Sequence, residues 1–361
     1  MRVGISTVQA AHNYGAMLQA YALRRYCENK GCDVILTDRR KEKSVIWNPK
    51  PFKPLSWKQK LLYGKYLVKW YLPVYLPRKR RARKFESFLN TYLNDKPLLP
   101  NTEFDVIIYG SDQIWSKFNY GYDRAWWGYD GLIAKRRISY ATSMGVVDIQ
   151  KEDEPFIKEA LAHYDAVSVR EDDLYEELLT RRLIEKQDLH QSIDPTFLIA
   201  KEEWLKIASP RQIKGRYLLF YDFQMDETTT AIVRAIALER ELKIVRITDG
   251  VVPEDGSDIY ITSVGPAEFV SLIYYADFVF SSSFHGTAFS IIFQKQFAVR
   301  QVWNTNRVKS LLRIANLSDR FIEGEERAKS IVDIQYDLLV NKLEETIQES
   351  KRYLNQYIQS K

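Results

Sequence analysis

Short apolar runs of strand length alternate with segments of helical spacing through both halves of the chain, a pattern that leaves few folds open. In the first half, Arg2 to Ser6, Asp33 to Thr37, Phe104 to Tyr109, Ile138 to Thr142 and Ala166 to Val169 read as strands. Gly15 to Lys30 predicts a helix with Ala16, Ala20, Leu23 and Cys27 on one stripe, stopped by Gly31. Pro155 to Tyr164 predicts another, and Ser192 to Thr196 a short strand and turn closing this half. The second half repeats the pattern: strands at Tyr217 to Tyr221, Lys243 to Ile247, Phe278 to Phe280 and Phe297 to Val299, helices at Glu227 to Arg240 and Pro266 to Tyr275. Strand–helix–strand units pair in parallel with right-handed crossovers. The expectation is an α/β chain of two parallel-sheet domains, 1–200 and 201–333, facing each other across a cleft. Ile334 to Ile358 predicts a long terminal helix, within 334–361, that returns to the first domain.

Composition removes several classes of function. At 361 residues, 45% apolar and 28% charged, the chain suits a soluble globular protein with two cores. Cys27 and Cys32 form no disulfide framework or zinc motif, and with four scattered histidines no metal is expected. The start, Met1 to Ser6, is strand-like rather than a signal peptide, and no apolar run reaches about 18 residues, so the expected compartment is cytoplasmic.

Residues 41–94 differ in character. Trp47, Trp57 and Trp70 alternate with lysines, and Pro51, Pro54, Pro73 and Pro77 are expected to interrupt helices. Arg78 to Lys84 carries six basic residues in seven. Such a stretch is either a solvated basic hairpin or a peripheral contact with the anionic inner face of a membrane. Nucleic acid is not expected as a partner, because no reading module appears.

The stretch from Tyr275 to Phe293 is a strand, three serines and a helix. Ser283 is the expected N-cap, which puts His285 and Gly286 in a helix's first turn beyond a strand's C-terminal end. Ligands bind at such places in open α/β sheets, since the amides there lack partners. His285 reads either as an anion contact or as a histidine that only closes a turn. The first strand–helix loop carries Asn13-Tyr14-Gly15 in place of a dinucleotide fingerprint, and no P-loop is present.

Five segments in order carry a family resemblance. They are Asn13 to Leu23 (NYGAMLQAYAL), Gly110 to Trp115 (GSDQIW), Ser168 to Glu171 (SVRE), Asp194 to Leu198 (DPTFL) and Ser282 to Ser290 (SSFHGTAFS). Together they resemble the polysaccharide pyruvyl transferase family over about residues 1–320. The resemblance implies a GT-B-like fold, a pair of Rossmann-like parallel-sheet domains. It also implies transfer of a pyruvyl group from phosphoenolpyruvate, as donor substrate without a further cofactor, to a sugar hydroxyl pair. The product is a cyclic ketal on a bacterial surface glycan such as a capsule or exopolysaccharide, built on a saccharide or lipid-linked oligosaccharide acceptor. Many members have an arginine where this chain has Ser283, so Arg170, Arg300 or Arg307 would have to supply that charge.

That chemistry suggests roles. A histidine suits proton donation near neutral pH, so His285 is the expected phosphate contact and general acid. Arg170 is the expected donor clamp, or else an ion-pair partner of Glu171 or Asp172. Ser282, Ser283 and Gly286 are expected on the donor. Asp112 is the expected base toward the sugar hydroxyl, or else a turn cap. Asn13, Tyr14 and Trp115 are expected at the acceptor, although an aromatic at position 115 equally suits a core. Two rival readings share the fold: a GT-B glycosyltransferase using a nucleotide-sugar donor, and a non-catalytic glycan-binding protein.

Overall fold

The computed structural model describes residues 1–37, 65, 68, 71–93, 96–222, 226–249, 255–301, 305–324, 331–338 and 342–359. The readings that rest on Trp47, Trp57, Trp70, Pro51 and Pro54 lie outside them.

The first lobe is built on a parallel sheet of β1 (Arg2–Ser6), β2 (Asp33–Leu36), β3 (Glu103–Tyr109) and β4 (Ile133–Ser139), in the order β2-β1-β3-β4. Single bridges from Ile138 to Ala166 and from Thr142 to Val169 extend it toward the pair β5 (Val167–Val169) and β6 (Leu189–Gln191). The second lobe holds β7 (Tyr217–Tyr221), β8 (Lys243–Ile247), β9 (Ile259–Ile261), β10 (Phe278–Ser281) and β11 (Gln296–Val299), in the parallel order β11-β10-β7-β8-β9. Central strands such as β1, β7 and β10 are apolar on both faces because helices cover both sides.

The first helix, α1 (Tyr14–Asn29), follows β1 and is capped by Asn13, whose side chain accepts from the Ala16 amide. Its residue Tyr14 welds the lobes together. The ring stacks on Phe269 with centroids 4.5 Å apart, meets Tyr221 edge-on at 5.7 Å, and its hydroxyl donates to the Val264 carbonyl at 3.2 Å. One apolar core therefore runs from Val3 and Ile5 through Tyr14 to Phe269 and Phe289.

The basic stretch lies on α2 (Leu72–Phe88), which Pro77 does not interrupt. Pro73 sits in the first turn, where an amide has no partner to lose. An interior proline costs about 3 kcal/mol. Buried Ala82, Phe85 and Phe88 offset it, together with contacts to the second lobe through Arg78 and Lys84. Arg78 pairs with Asp249 at 2.7 Å and Lys84 with Glu268 at 2.7 Å, while Arg81 donates to the His12 carbonyl at 3.2 Å.

The end of the chain departs from the long helix expected from Ile334. The helix spans Lys342–Ile358, because Ile334 is held in extended form on the end of β11. Its amide donates to Gln296 Oε1 at 2.7 Å and its carbonyl accepts from Gln296 Nε2 at 3.2 Å. The helix itself lies on the first lobe: Tyr353 Oη donates to the Ser139 carbonyl at 2.8 Å, and Ser350 Oγ accepts from the Ile193 amide at 2.9 Å.

Candidate active site

Strand order locates a crevice in each sheet. The chain reverses its direction of winding between β1 and β3 in the first lobe and between β7 and β10 in the second, which opens a crevice at those C-terminal ends. Registers align the ends, with Ser6 beside Tyr109 and Ser281 beside Tyr221. The loops leaving them carry most of the expected site residues, and the two crevices face each other.

From the second lobe, β10 ends at Ser281 and α3 (Phe284–Ile292) begins three residues later. Ser283 caps it, its Oγ accepting from the Gly286 amide at 3.4 Å. Gly286 must lack a side chain: a Cβ there would overlap Ser281 Oγ and touch the Tyr221 ring at 3.4 Å. His285 is 7% exposed and crosses the crevice to rest on the Cα of Gly15, where any Cβ would overlap the imidazole.

From the first lobe, β5 delivers Arg170. Its Nε donates to Glu171 Oε1 at 2.7 Å and its Nη1 to Asp194 Oδ2 at 2.6 Å, while the guanidinium lies 4.5 Å over the ring of Phe284. Asp194 is fully buried, and Thr196 holds its other oxygen through the amide at 3.0 Å and the hydroxyl at 2.8 Å. Asp194 Oδ2 also stands 3.5 Å from His285 Nε2, within reach of its charge though not in hydrogen-bonding alignment. Burial would raise the Asp194 carboxyl, but His285, Arg170 and the Thr196 amide together hold it well below the usual carboxylate range. Arg170 and His285 therefore converge on one aspartate across the interlobe boundary.

Asp112 follows β3 in a turn that needs special backbone. Gly110 has φ +118°, with the Tyr140 carbonyl where a Cβ would go, and Asp112 has φ +67°. The Asp112 carbonyl accepts from the Ser143 amide at 3.1 Å, whereas its carboxylate, half-buried, makes no hydrogen bond among the described residues. Thr7 ties this turn to α1, donating to the Ser111 carbonyl at 3.1 Å and accepting from Gln19 Nε2 at 2.8 Å.

Two expected acceptor contacts are packed away. Trp115 is fully buried, stacked on Trp127 at 4.4 Å, with Nε1 donating to the Trp126 carbonyl at 3.2 Å. Tyr14 is the interlobe weld, so neither ring faces the crevice. Asn13 is exposed at the start of α1, and Ser282 is buried with its amide donating to the Tyr221 carbonyl at 3.2 Å. Of the arginines weighed as substitutes at position 283, Arg300 is engaged elsewhere, with Thr229, Asp226 and the Glu323 carbonyl. Arg307 faces the cluster, where it feels the charges of Arg170, Glu171, Asp112 and Asp194. Asp194 was legible as a turn after a short strand and as the start of one family-like segment, with no role assigned; its role as the hub follows from its placement beside Arg170.

Beside the cluster lies a cavity of about 1030 Å³ between the first turn of α4 (Asp172–Thr180) and α5 (Asn306–Ile314). Asp172, Asp173, Glu176, Asn306, Lys309 and Arg313 are on its wall. Two contacts span it: Asn306 Nδ2 donates to Asp173 Oδ2 at 2.8 Å, and Arg313 pairs with Asp172.

Comparison with known proteins agrees with this architecture. A putative UDP-N-acetylglucosamine 2-epimerase from Listeria monocytogenes superposes with a TM-score of 0.50 at 12% identity, covering 97% of this chain and 90% of that one. A second UDP-N-acetylglucosamine 2-epimerase gives a TM-score of 0.50 at 10% identity, covering 98% and 94%. At such identities the likeness establishes the fold, a GT-B-like pair of Rossmann-type domains. No curated protein matches the sequence. The family model described as polysaccharide pyruvyl transferase matches residues 13–300, from the cap of α1 through the His285 helix to the end of β11. Spanning both lobes and every residue of the cluster except Arg307, that match makes this chain a member of the polysaccharide pyruvyl transferase family.

Proposed function

We propose that the protein transfers a pyruvyl group from phosphoenolpyruvate to two hydroxyls of a sugar in a bacterial surface glycan, forming a cyclic ketal. The observation that carries this reading is the convergence of His285 and Arg170 on Asp194 from opposite lobes. A small, doubly anionic donor suits a site with one fixed guanidinium, one imidazole and a helix first turn whose amides lack intrahelical partners. Arg170 holds the donor, assisted by Ser282, Ser283 and the backbone at Gly286.

The reaction balances without a redox partner. A proton delivered by His285 to the enol methylene forms the methyl C–H bond and leaves a cationic C2. Asp112 accepts the proton of one sugar hydroxyl as its oxygen bonds to C2. The C2–O bond to phosphate breaks, and the second hydroxyl closes the ketal. In sum one hydroxyl proton ends on the methyl group and the other on the departing phosphate. The saccharide, free or lipid-linked, enters by the cavity between α4 and α5 and past Asn13. Arg80 and Arg83, the exposed cations of α2, provide peripheral contact with an anionic membrane face.

The test is incubation of the full chain with phosphoenolpyruvate and a panel of bacterial glycans, reading phosphate release and the acceptor's mass. Donor-dependent phosphate release with a pyruvylated acceptor supports the proposal. Turnover of nucleotide sugars alone replaces it with glycosyl transfer, and glycan binding without turnover replaces it with a lectin-like role.

A further inference from the structure

We infer that Arg307 is the second arginine of the donor site, sharing one phosphate-class dianion with Arg170. This rests on the proposed function for the identity of the donor, though not for the existence of the anion site.

Arg307 reaches the cluster from α5 in the second lobe. With the Gln113 amide turned so that its oxygen faces the guanidinium, Gln113 accepts from Nη1 at 2.7 Å and Nη2 at 3.1 Å. That anchor, on the turn after β3, fixes the two terminal nitrogens and leaves Nε sealed from solvent with no acceptor among the described residues. Arg170 is in the same condition: Nε and Nη1 are engaged, while Nη2 is sealed and has no acceptor among the described residues. A buried charged donor left unpaired is costly, which makes such groups rare unless a ligand completes them.

The two guanidiniums share a neighbourhood. Burial, and next the charge of Arg170, lower the Arg307 pKa, while Glu171, Asp112 and Asp194 oppose the shift. Of those carboxylates, Glu171 and Asp194 already accept from Arg170. Asp112 pairs with neither arginine among the described residues, its carboxylate held apart on a left-handed turn. An oxyanion lying between the guanidiniums would satisfy both orphaned nitrogens, each through one charge-assisted N–H, and relieve their mutual repulsion. Arg300, engaged by Asp226 and Thr229, has no such vacancy. Arg307 thus supplies, from α5, the positive charge that the chain lacks at Ser283.

Titration calorimetry of the full chain with orthophosphate, and separately with phosphoenolpyruvate, tests this in wild type and in Arg307→Gln, Arg307→Lys and Arg300→Gln. Arg307→Gln is expected to weaken binding of both anions about tenfold or more, and Arg307→Lys roughly threefold, since a charge without the fork remains. Arg300→Gln is expected to stay within about twofold of wild type. If Arg307→Gln does not fold, Arg307→Lys carries the comparison. Binding of orthophosphate but not phosphoenolpyruvate, with the same dependence on Arg307, upholds the anion site while overturning the proposed donor. Wild-type affinity in both Arg307 variants, or no anion binding by wild type, overturns the inference.

Discussion

The ring of His285, on the second lobe, rests directly on the Cα of Gly15, on the first, with no room for a β-carbon between them. Gly15 lies inside a helix at an ordinary helical backbone, so its lack of a side chain is a matter of space and not of conformation. Replacing it with alanine should favour the helix by up to about 1 kcal/mol while pushing the imidazole out of place. We expect Gly15→Ala to lower kcat about tenfold to a hundredfold with Tm within a few degrees of wild type. Turnover equal to wild type would show that the imidazole's position is not needed.

His285→Ala is expected to reduce turnover about a hundredfold or more without unfolding the chain. Nε2 of His285 makes no hydrogen bond among the described residues, and Asp194 keeps Arg170 and Thr196 when the imidazole is removed. Circular dichroism together with phosphate-release kinetics checks both halves of this expectation. A variant that is folded and fully active would remove the histidine from the reaction.

Asp194→Asn leaves Arg170 buried beside a neutral amide and should cost about 3–5 kcal/mol of stability at neutral pH. Burial alone would raise the Asp194 pKa, but His285 and Arg170 hold it below its ordinary 3.8. For a depressed carboxyl the stabilisation is complete above that ordinary value and disappears as pH falls through the lower, folded-state value. Wild type should therefore lose stability below about pH 4 more steeply than Asp194→Asn, by up to one proton per molecule. Urea unfolding at a series of acid pH values reads this slope, and parallel slopes would contradict the assignment.

The basic helix divides its cations between two tasks. Arg78, Arg81 and Lys84 face the protein's own lobes, while Arg80 and Arg83 are exposed. The partition constant for anionic vesicles, read by sedimentation, should fall about thirtyfold in an Arg80→Gln/Arg83→Gln double variant, at roughly 1 kcal/mol per charge near the surface. Equal sedimentation of variant and parent would discard membrane docking. Neutralising Arg78 or Lys84 should instead lower Tm, because it loosens ties between the lobes.

How much of this was legible in the sequence depended on the range of the interactions involved. The strands β1, β3, β7 and β10 announce themselves because both faces are buried, giving unbroken apolar runs. Most of β4 was missed, with only Ile138 and Ser139 shared with the expected strand, because Lys135, Arg136 and Arg137 mask it, and β9 because Ile259–Ile261 is short and half-buried. The cap at Ser283 and the exposed place of Asn13 follow local rules, and so were readable. Whether Tyr14 and Trp115 face a ligand or a core was not, since Phe269 and Trp127 lie far along the chain or across a turn. Asp194 and Arg307 gain their roles only when two lobes dock, which no local pattern encodes.

The last helix ties the chain's final stretch to its first lobe after the second lobe is complete. Tyr353 is anchored at Ser139, and Cys32 Sγ donates to the Ile358 carbonyl at 3.3 Å. Among the described residues the polypeptide thus passes from the first lobe to the second near residue 200, and its last helix, from Lys342, is back on the first. The covalent crossings add to the Tyr14 weld, and a protease cut in one would leave the halves still attached by the other.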